Sequence, residues 1–181
     1  MAINFVVEDG TGLSNATSYI AIADANQYVE DYVADSTDWS AASDDVKKQA
    51  LNVASQFIDL QYVPLQGVRL KEAQALNWPR AYVTDRDGYS VDSDIVPQRV
   101  EYATVEVALY FVSNGEVYSQ LDSEGRLQAQ RITIDVITIQ KQWSGSNPQS
   151  SLKSKVDGFL AEYMSGGGNG NPGVNAEVRR G

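Results

Sequence analysis

Apolar residues recur at helical spacing in four stretches of the chain. Between Ile22 and Ala34 they stand at Ile22, Ala25, Val29 and Tyr32 or Val33, the mark of a helix with one buried face. Ser43 precedes Asp44 and Asp45, a capping hydroxyl followed by carboxylates that favour the positive end of a helix dipole. Val46, Ala50, Val53, Ala54, Phe57 and Ile58 then form one stripe, and Pro64 and Gly67 close the segment near Tyr62. After Pro97, a residue suited to the first helical position, Val100, Ala103, Val107 and Phe111 share a face while Val105, Leu109 and Val112 lie on another. A helix apolar nearly all round is a buried one, so residues 97–113 are expected at the centre of the fold, with Asn114-Gly115 as its stop. Asn147-Pro148 opens a last helix, with Leu152, Val156, Phe159, Leu160 and Tyr163 on one face.

Strand patterns are fewer. Ile3 to Val7 reads as a short strand, followed by a glycine-rich turn from Glu8 to Gly12 that suits positive φ or a mobile arm. Tyr82-Val83-Thr84 and Tyr89-Ser90-Val91 flank Asp87-Gly88 and predict a small hairpin. Arg131 to Ile139 is rich in β-branched residues, but its alternation shifts phase at Val136-Ile137, as in a strand with a bulge. Asp35 to Ala42, with Trp39, reads as a loop. Residues 166–173 are nearly all glycine and asparagine, a composition that cannot offset its ordering entropy by burial. The expected fold is mainly α: a helical bundle of about four helices with a small β-hairpin or strand element. Residues 1–165 form its single domain, and residues 166–181 a flexible arm carrying Val178, Arg179 and Arg180.

Charge narrows the chemistry. The net charge is -10 over 181 residues, and it is uneven. Residues 1–60 hold ten acidic and two basic side chains, residues 61–120 eight and five, and residues 121–181 six and seven, giving -8, -3 and +1. Proteins that grip a phosphate backbone are usually basic. With no cysteine and no histidine, the chain lacks disulfides, thiolate ligands, the commonest general base and the commonest metal ligand. No apolar run reaches the ~18 residues of a membrane span, and no signal-peptide pattern opens the chain, so a soluble intracellular protein is expected. The turn at Glu8–Gly12 lacks the Lys-Ser/Thr of a phosphate loop, and its carboxylates would repel an anion. Asp85, Asp87, Asp92 and Asp94 do not follow calcium-loop spacing, since Gly88 comes too early. No paired carboxylates stand out for hydrolysis, so neither an enzyme nor a cofactor or metal is expected.

The stretch from Gln74 to Phe111 carries the most specific pattern. Pro79 restricts Trp78 towards extended backbone, so Trp78 is presented by a rigid turn. Trp78 is expected to wedge against the helix at 97–113. Arg80 is expected to meet a carboxylate or backbone carbonyls there.

Gln74-Ala75-Leu76, Trp78-Pro79-Arg80, the acidic turn at Gly88, Ile95-Val96-Pro97 and the helix through Val100 and Ala103 to Phe111 together resemble the head–tail connector (adaptor) proteins of tailed bacteriophages. Val7 to Gly12, followed by Ser18-Tyr19, Ala25 and Tyr28, is similar to a subgroup some of whose members carry a DnaT-like single-stranded-DNA-binding label. The resemblance spans roughly residues 6–113 and is weak beyond about residue 115. It implies a non-enzymatic virion protein, assembled in the host cytoplasm, that forms a ring of about twelve copies beneath the portal in the neck. Such a ring extends the DNA channel without binding the DNA specifically, and offers a platform to a stopper or tail protein. In this reading Gln74, Trp78, Pro79, Arg80 and Pro97 are structural, and no membrane is involved. The portal contact falls to Leu152, Val156, Phe159, Leu160 and Tyr163 with Val178, Arg179 and Arg180. The alternative is a single-stranded-DNA-binding protein that stacks bases on Trp78, Tyr82, Tyr89 and Tyr102, with Arg69, Arg80 and Arg99 as the basic funnel.

Overall fold

The apolar spacing of each helical stretch is matched by a helix in the computed structural model, which describes residues 3–115, 130–134, 137–141 and 148–165. In chain order these are α1 (Ile22–Tyr32), α2 (Thr37–Ala41), α3 (Asp44–Gln61), α4 (Gln98–Asn114) and α5 (Pro148–Leu160), the last continued by a 3-10 turn at Ala161–Tyr163. The fold is mainly α. Ser43 caps α3 as its sequence requires, its Oγ accepting the Val46 N–H at 3.4 Å. Gly115 closes α4 in the left-handed conformation, with φ 81° and its N–H on the Phe111 carbonyl. Pro97 stands one place earlier than expected. With φ -60° and ψ 137° its backbone is extended, so it is the cap whose carbonyl receives the Val100 and Glu101 N–H groups, not the first helical residue. The stretch around Trp39 is the short α2, not a loop; Trp39 is buried, and its indole N–H is bonded to Asn26 at 2.9 Å.

Helix α4 is central. It packs on α3 and α5, and more lightly on α1 and α2. Val100, Ala103, Val105, Val107 and Ala108 are all buried, so the helix is enclosed on more than one face. Thr104, fully buried among them, returns its hydroxyl to the Val100 carbonyl at 2.8 Å. Around α4 the core gathers Tyr19 and Ile20, the stripe Ala50, Leu51, Ala54, Phe57 and Ile58 of α3, and Leu152, Val156 and Leu160 of α5.

The strands are short. β1 (Val68–Arg69) pairs antiparallel with β2 (Arg80–Ala81), Val68 opposite Ala81. The hairpin around Gly88 forms, with Thr84 bridged to Ser90 and the Val91 N–H on the Val83 carbonyl. Where a single bulged strand is expected there are two, β3 (Gln130–Ile134) and β4 (Ile137–Lys141), paired antiparallel with Ile132 opposite Ile139. The phase shift at Val136-Ile137 thus marks a change of strand. The C-terminal turn returns to the chain after α3: Leu65 bridges Met164, the Gln66 N–H bonds Tyr163 O, and the Ser165 N–H bonds Pro64 O. The glycine-rich arm, with Val178, Arg179 and Arg180, lies outside the described residues.

Trp78 is 1% exposed, and its ring meets Tyr163 edge-on at 5.1 Å, so it ties the central loop to the end of α5. Trp78→Ala is expected to lower unfolding stability by ~3–5 kcal/mol in a denaturant melt. Phe159→Ala, on a side chain only partly buried against the same core, is expected to cost less.

Candidate functional site

The Trp-Pro-Arg turn is built around a carboxylate. Asp59, in the last turn of α3, accepts the Tyr19 hydroxyl on one oxygen and the Asn77 N–H at 2.9 Å on the other. Tyr19, fully buried, in turn accepts the N–H groups of Asn77 and Trp78 at 3.1 and 3.3 Å. The Asn77 amide closes the ring on the Asp59 carbonyl at 3.0 Å. Burial pushes the Asp59 carboxyl up to about 6, against the opposing pull of its hydrogen bonds and of Arg80 and Arg69. Burial likewise raises the Tyr19 phenol well above its usual range, with the Asp59 charge adding to it.

Gln74 and Arg80 hold the rest of the turn. Gln74 is buried, and its amide donates to the Leu76 and Pro79 carbonyls while its oxygen takes the Lys71 N–H at 2.8 Å. Arg80 donates to three backbone carbonyls, Gln66 at 2.7 Å, Gly67 at 2.9 Å and Asn77 at 3.2 Å. Its guanidinium, on the fork geometry that suits such contacts, is therefore engaged in the fold. Gly67 is required where it stands: φ is +63°, and a β-carbon there would meet the Ala81 carbonyl at 2.0 Å.

The turn from Glu8 to Gly12 is no mobile arm. The Glu8 carboxylate, buried, collects the N–H groups of Gly10, Gly12 and Leu13 at 2.8–3.1 Å. Convergent backbone N–H groups of this kind suit an anion, and here the chain supplies its own. Gly10 presses against the Asp94 carbonyl, which leaves no room for a side chain.

The residues assigned to a portal contact are placed differently from one another. Leu152, Val156, Leu160 and Tyr163 are buried in the protomer's own core, and Phe159 packs partly buried beside Tyr102. Their apolar face is therefore covered by this chain, and a partner would meet the opposite, polar face of α5. The stacking residues divide as well. Trp78 is buried, and Tyr102 stacks with Tyr28 and Tyr32 at 4.6 and 5.7 Å. Tyr82 and Tyr89 stand out at 86% and 73% exposed. Tyr82 has φ 62°, a left-handed backbone that bulky residues rarely adopt, at a cost of ~1–3 kcal/mol. Arg99 and Arg86 both reach Glu162, at 3.0 and 3.8 Å. Lys155 and Tyr28 both bond Glu106 at 2.5 Å, joining α5, α1 and α4. An open groove of about 450 Å³ lies beside this pair, walled by Trp39, Leu109 and Leu152 and edged by Asp35 and Asp38. Among the described residues no group of three or more acidic, histidine or cysteine side chains is arranged for a metal. Nor is any described helix long and apolar enough to cross a membrane.

Over residues 3–181 the chain matches the model of a family described as "Putative DnaT-like ssDNA binding protein". No curated protein and no solved structure matches it.

The raised carboxyls set a pH dependence. An unfolded carboxylate ionises near pH 4, whereas Asp59 holds its proton to about 6. Between those values the unfolded chain releases the proton first, so this group's contribution to stability falls as pH rises, by on the order of 2–3 kcal/mol, and is gone above about pH 6. Glu101, raised to about 7 by burial and by Asp24, acts in the same sense. In thermal melts from pH 4 to 7.5, Asp59→Asn is expected to remove the part of the decline between about pH 4 and 6 whatever its absolute stability, and adding Glu101→Gln the part that continues to about pH 7. A wild-type curve that rises over the range would contradict this.

Proposed function

The chain belongs to this DnaT-like family, and on that premise we propose that it is a non-catalytic structural subunit of the head–tail connector type. It assembles as a ring under a portal, continues the channel through which DNA passes, and seats the next tail or stopper protein. The observation that carries this reading is the disposition of charge. The chain stands at -10, and most of its described basic side chains have partners of their own. Arg80 is held by carbonyls, Arg69 reaches the Gln74 carbonyl, and Arg86 and Arg99 meet Glu162. Lys155, Lys153 and Lys48 pair with Glu106, Asp157 and Asp45, and Lys47 lies over Trp39. A phosphate backbone that approaches finds net repulsion and few released counterions to gain, which suits a conduit through which DNA slides. Trp78-Pro79-Arg80 and Ile95-Val96-Pro97, on which the resemblance to connectors rests, are structural in this reading. They shape the loop that packs between α3, α4 and the end of α5.

The family description favours a second reading, a single-stranded-DNA-binding protein, and the exposure of Tyr82 and Tyr89 supports it specifically. Two accessible rings can stack bases, each at ~1–3 kcal/mol. Asp85, whose carboxylate is bonded to the Tyr89 N–H, and Asp87 of the same hairpin weigh against it, since a strand on these rings would run beside like charge.

Fluorescence anisotropy with a labelled oligothymidine at physiological salt separates the two. The connector reading expects no saturable binding, and rings on portal particles by electron microscopy. Saturable binding lost in Tyr82→Ala/Tyr89→Ala would establish the second reading instead.

A further inference from the structure

The groove beside Glu106 takes no part in either reading of the function. It lies between α2 and α5, both of which pack on α4. Its walls are firmly set. Trp39 is held by the bond from its indole N–H to Asn26, with the Lys47 ammonium 5.4 Å from the ring centre. Leu109 of α4 and Leu152 of α5 supply the remaining apolar lining used here. A volume of about 450 Å³ is ample for a side chain and its stem.

Glu106 is the group that the fold leaves incompletely satisfied. It is 8% exposed, and burial of a carboxylate is costly unless donors surround it. Two donors reach it, the Tyr28 hydroxyl and the Lys155 ammonium, and both sit on the same oxygen, Oε1. Among the described residues no donor is bonded to Oε2. Nor is Oε2 sealed in: the one enclosed side-chain oxygen without a partner among the described residues belongs to Asn52. Since Glu106 lines the groove, Oε2 is reached from there.

Charge defines what could reach it. Asp35 and Asp38, both exposed, edge the same groove, and neither is paired with a described cation. Three carboxylates, Asp35, Asp38 and Glu106, thus face one ammonium, that of Lys155. An anion is repelled, and the described acidic groups are not arranged for a metal. What fits is an organic cation with an apolar stem. A planar guanidinium can offer separate N–H groups to Oε2 and to the rim carboxylates at once, whereas an ammonium repeats what Lys155 already provides. The groove is open to solvent, so a side chain can enter while its backbone stays outside. Sites for free small molecules enclose most of the ligand instead.

We propose that this groove takes an arginine side chain of a partner protein. Its guanidinium meets Oε2 of Glu106 and the carboxylates of Asp35 and Asp38, and its stem lies against Leu109 and Trp39. The inference requires neither reading of the function above.

The test is a nuclear magnetic resonance titration of the isotope-labelled full chain with three probes. These are acetyl-Ala-Arg-Ala-amide, the same peptide with citrulline, which keeps the shape and loses the charge, and propylguanidinium. The arginine peptide is expected to saturate, with shift changes confined to the Trp39 indole N–H and the backbone of residues 35–39 and 109–114. It should bind about tenfold more tightly than the citrulline peptide. Propylguanidinium should bind more weakly than the arginine peptide, because it lacks the flanking backbone. Asp38→Asn, an exposed change outside the core, is expected to lower affinity by about fivefold. Asp87→Asn, which changes the net charge equally but lies in the hairpin, should leave it unaltered. Shift changes scattered over the acidic surface, or none at Trp39, would overturn the proposal. So would equal affinity for the citrulline peptide, equal effects of the two variants, or tighter binding of propylguanidinium.

Discussion

The structure depends on one half-buried carboxylate. Asp59 sits where α3 ends, and moving an ionised group there from water is costly unless donors surround it. The donors come from two remote segments: the Tyr19 hydroxyl from the N-terminal region, and the Asn77 N–H from the loop before Trp78. Three parts of the chain are therefore fixed relative to one another by the need to satisfy a single side chain. The position of Trp78, and through it the edge contact with Tyr163 at the end of α5, follows from that constraint. The balance is close, because burial still outweighs the donors and keeps the carboxyl pKa high.

The same device recurs wherever the backbone is irregular. Between α3 and α4 there are only two residues in each paired strand, so most N–H and C=O groups of residues 62–97 need partners that a ladder does not supply. Side chains supply many of them. Gln74 satisfies three backbone groups, Arg80 three carbonyls, and Gln66 reaches both Thr84 and the Glu162 carbonyl. Near the N-terminus Glu8 satisfies three more. A polar side chain that closes a loop from inside is unavailable to a ligand. This is why the arginine of the most specific motif in the sequence, and the glycine turn that most invites an anion, are both closed structures here.

What the sequence made legible follows from which interactions repeat. Periodicity locates α1, α3, α4 and α5 within a few residues, because each buries a stripe of several side chains and an error in one position is averaged out. Ser43 and Gly115 are readable from a single residue, since capping is local chemistry. The hairpin at Gly88 is readable for the same reason. Asp59 is not: it stands beside Phe57 and Ile58 on the edge of a stripe, where a carboxylate usually faces water, and its partners are 18 and 40 residues away. Glu8 is misleading in isolation, because the sequence shows an acidic residue beside glycines and not the direction of its side chain. In α5 the apolar face is legible, but not what covers it. Periodicity says that Leu152, Val156 and Leu160 point one way, and only the packing against α4 shows that the cover is the chain itself.

That distinction bears on where a partner is to be sought. An amphipathic face used inside the protomer has already contributed its burial free energy, and exposing it to bind elsewhere would first cost that contribution. Surfaces available without unfolding are those whose apolar side chains are exposed in the folded chain, among the described residues Leu60, Val63, Val68 and Tyr82 with others. Here the start of α4 also meets the turn after α5, through the Arg99–Glu162 pair. An exposed apolar surface, on a chain most of whose described cations pair with its own carboxylates and carbonyls, is what the connector reading would use to meet another protein.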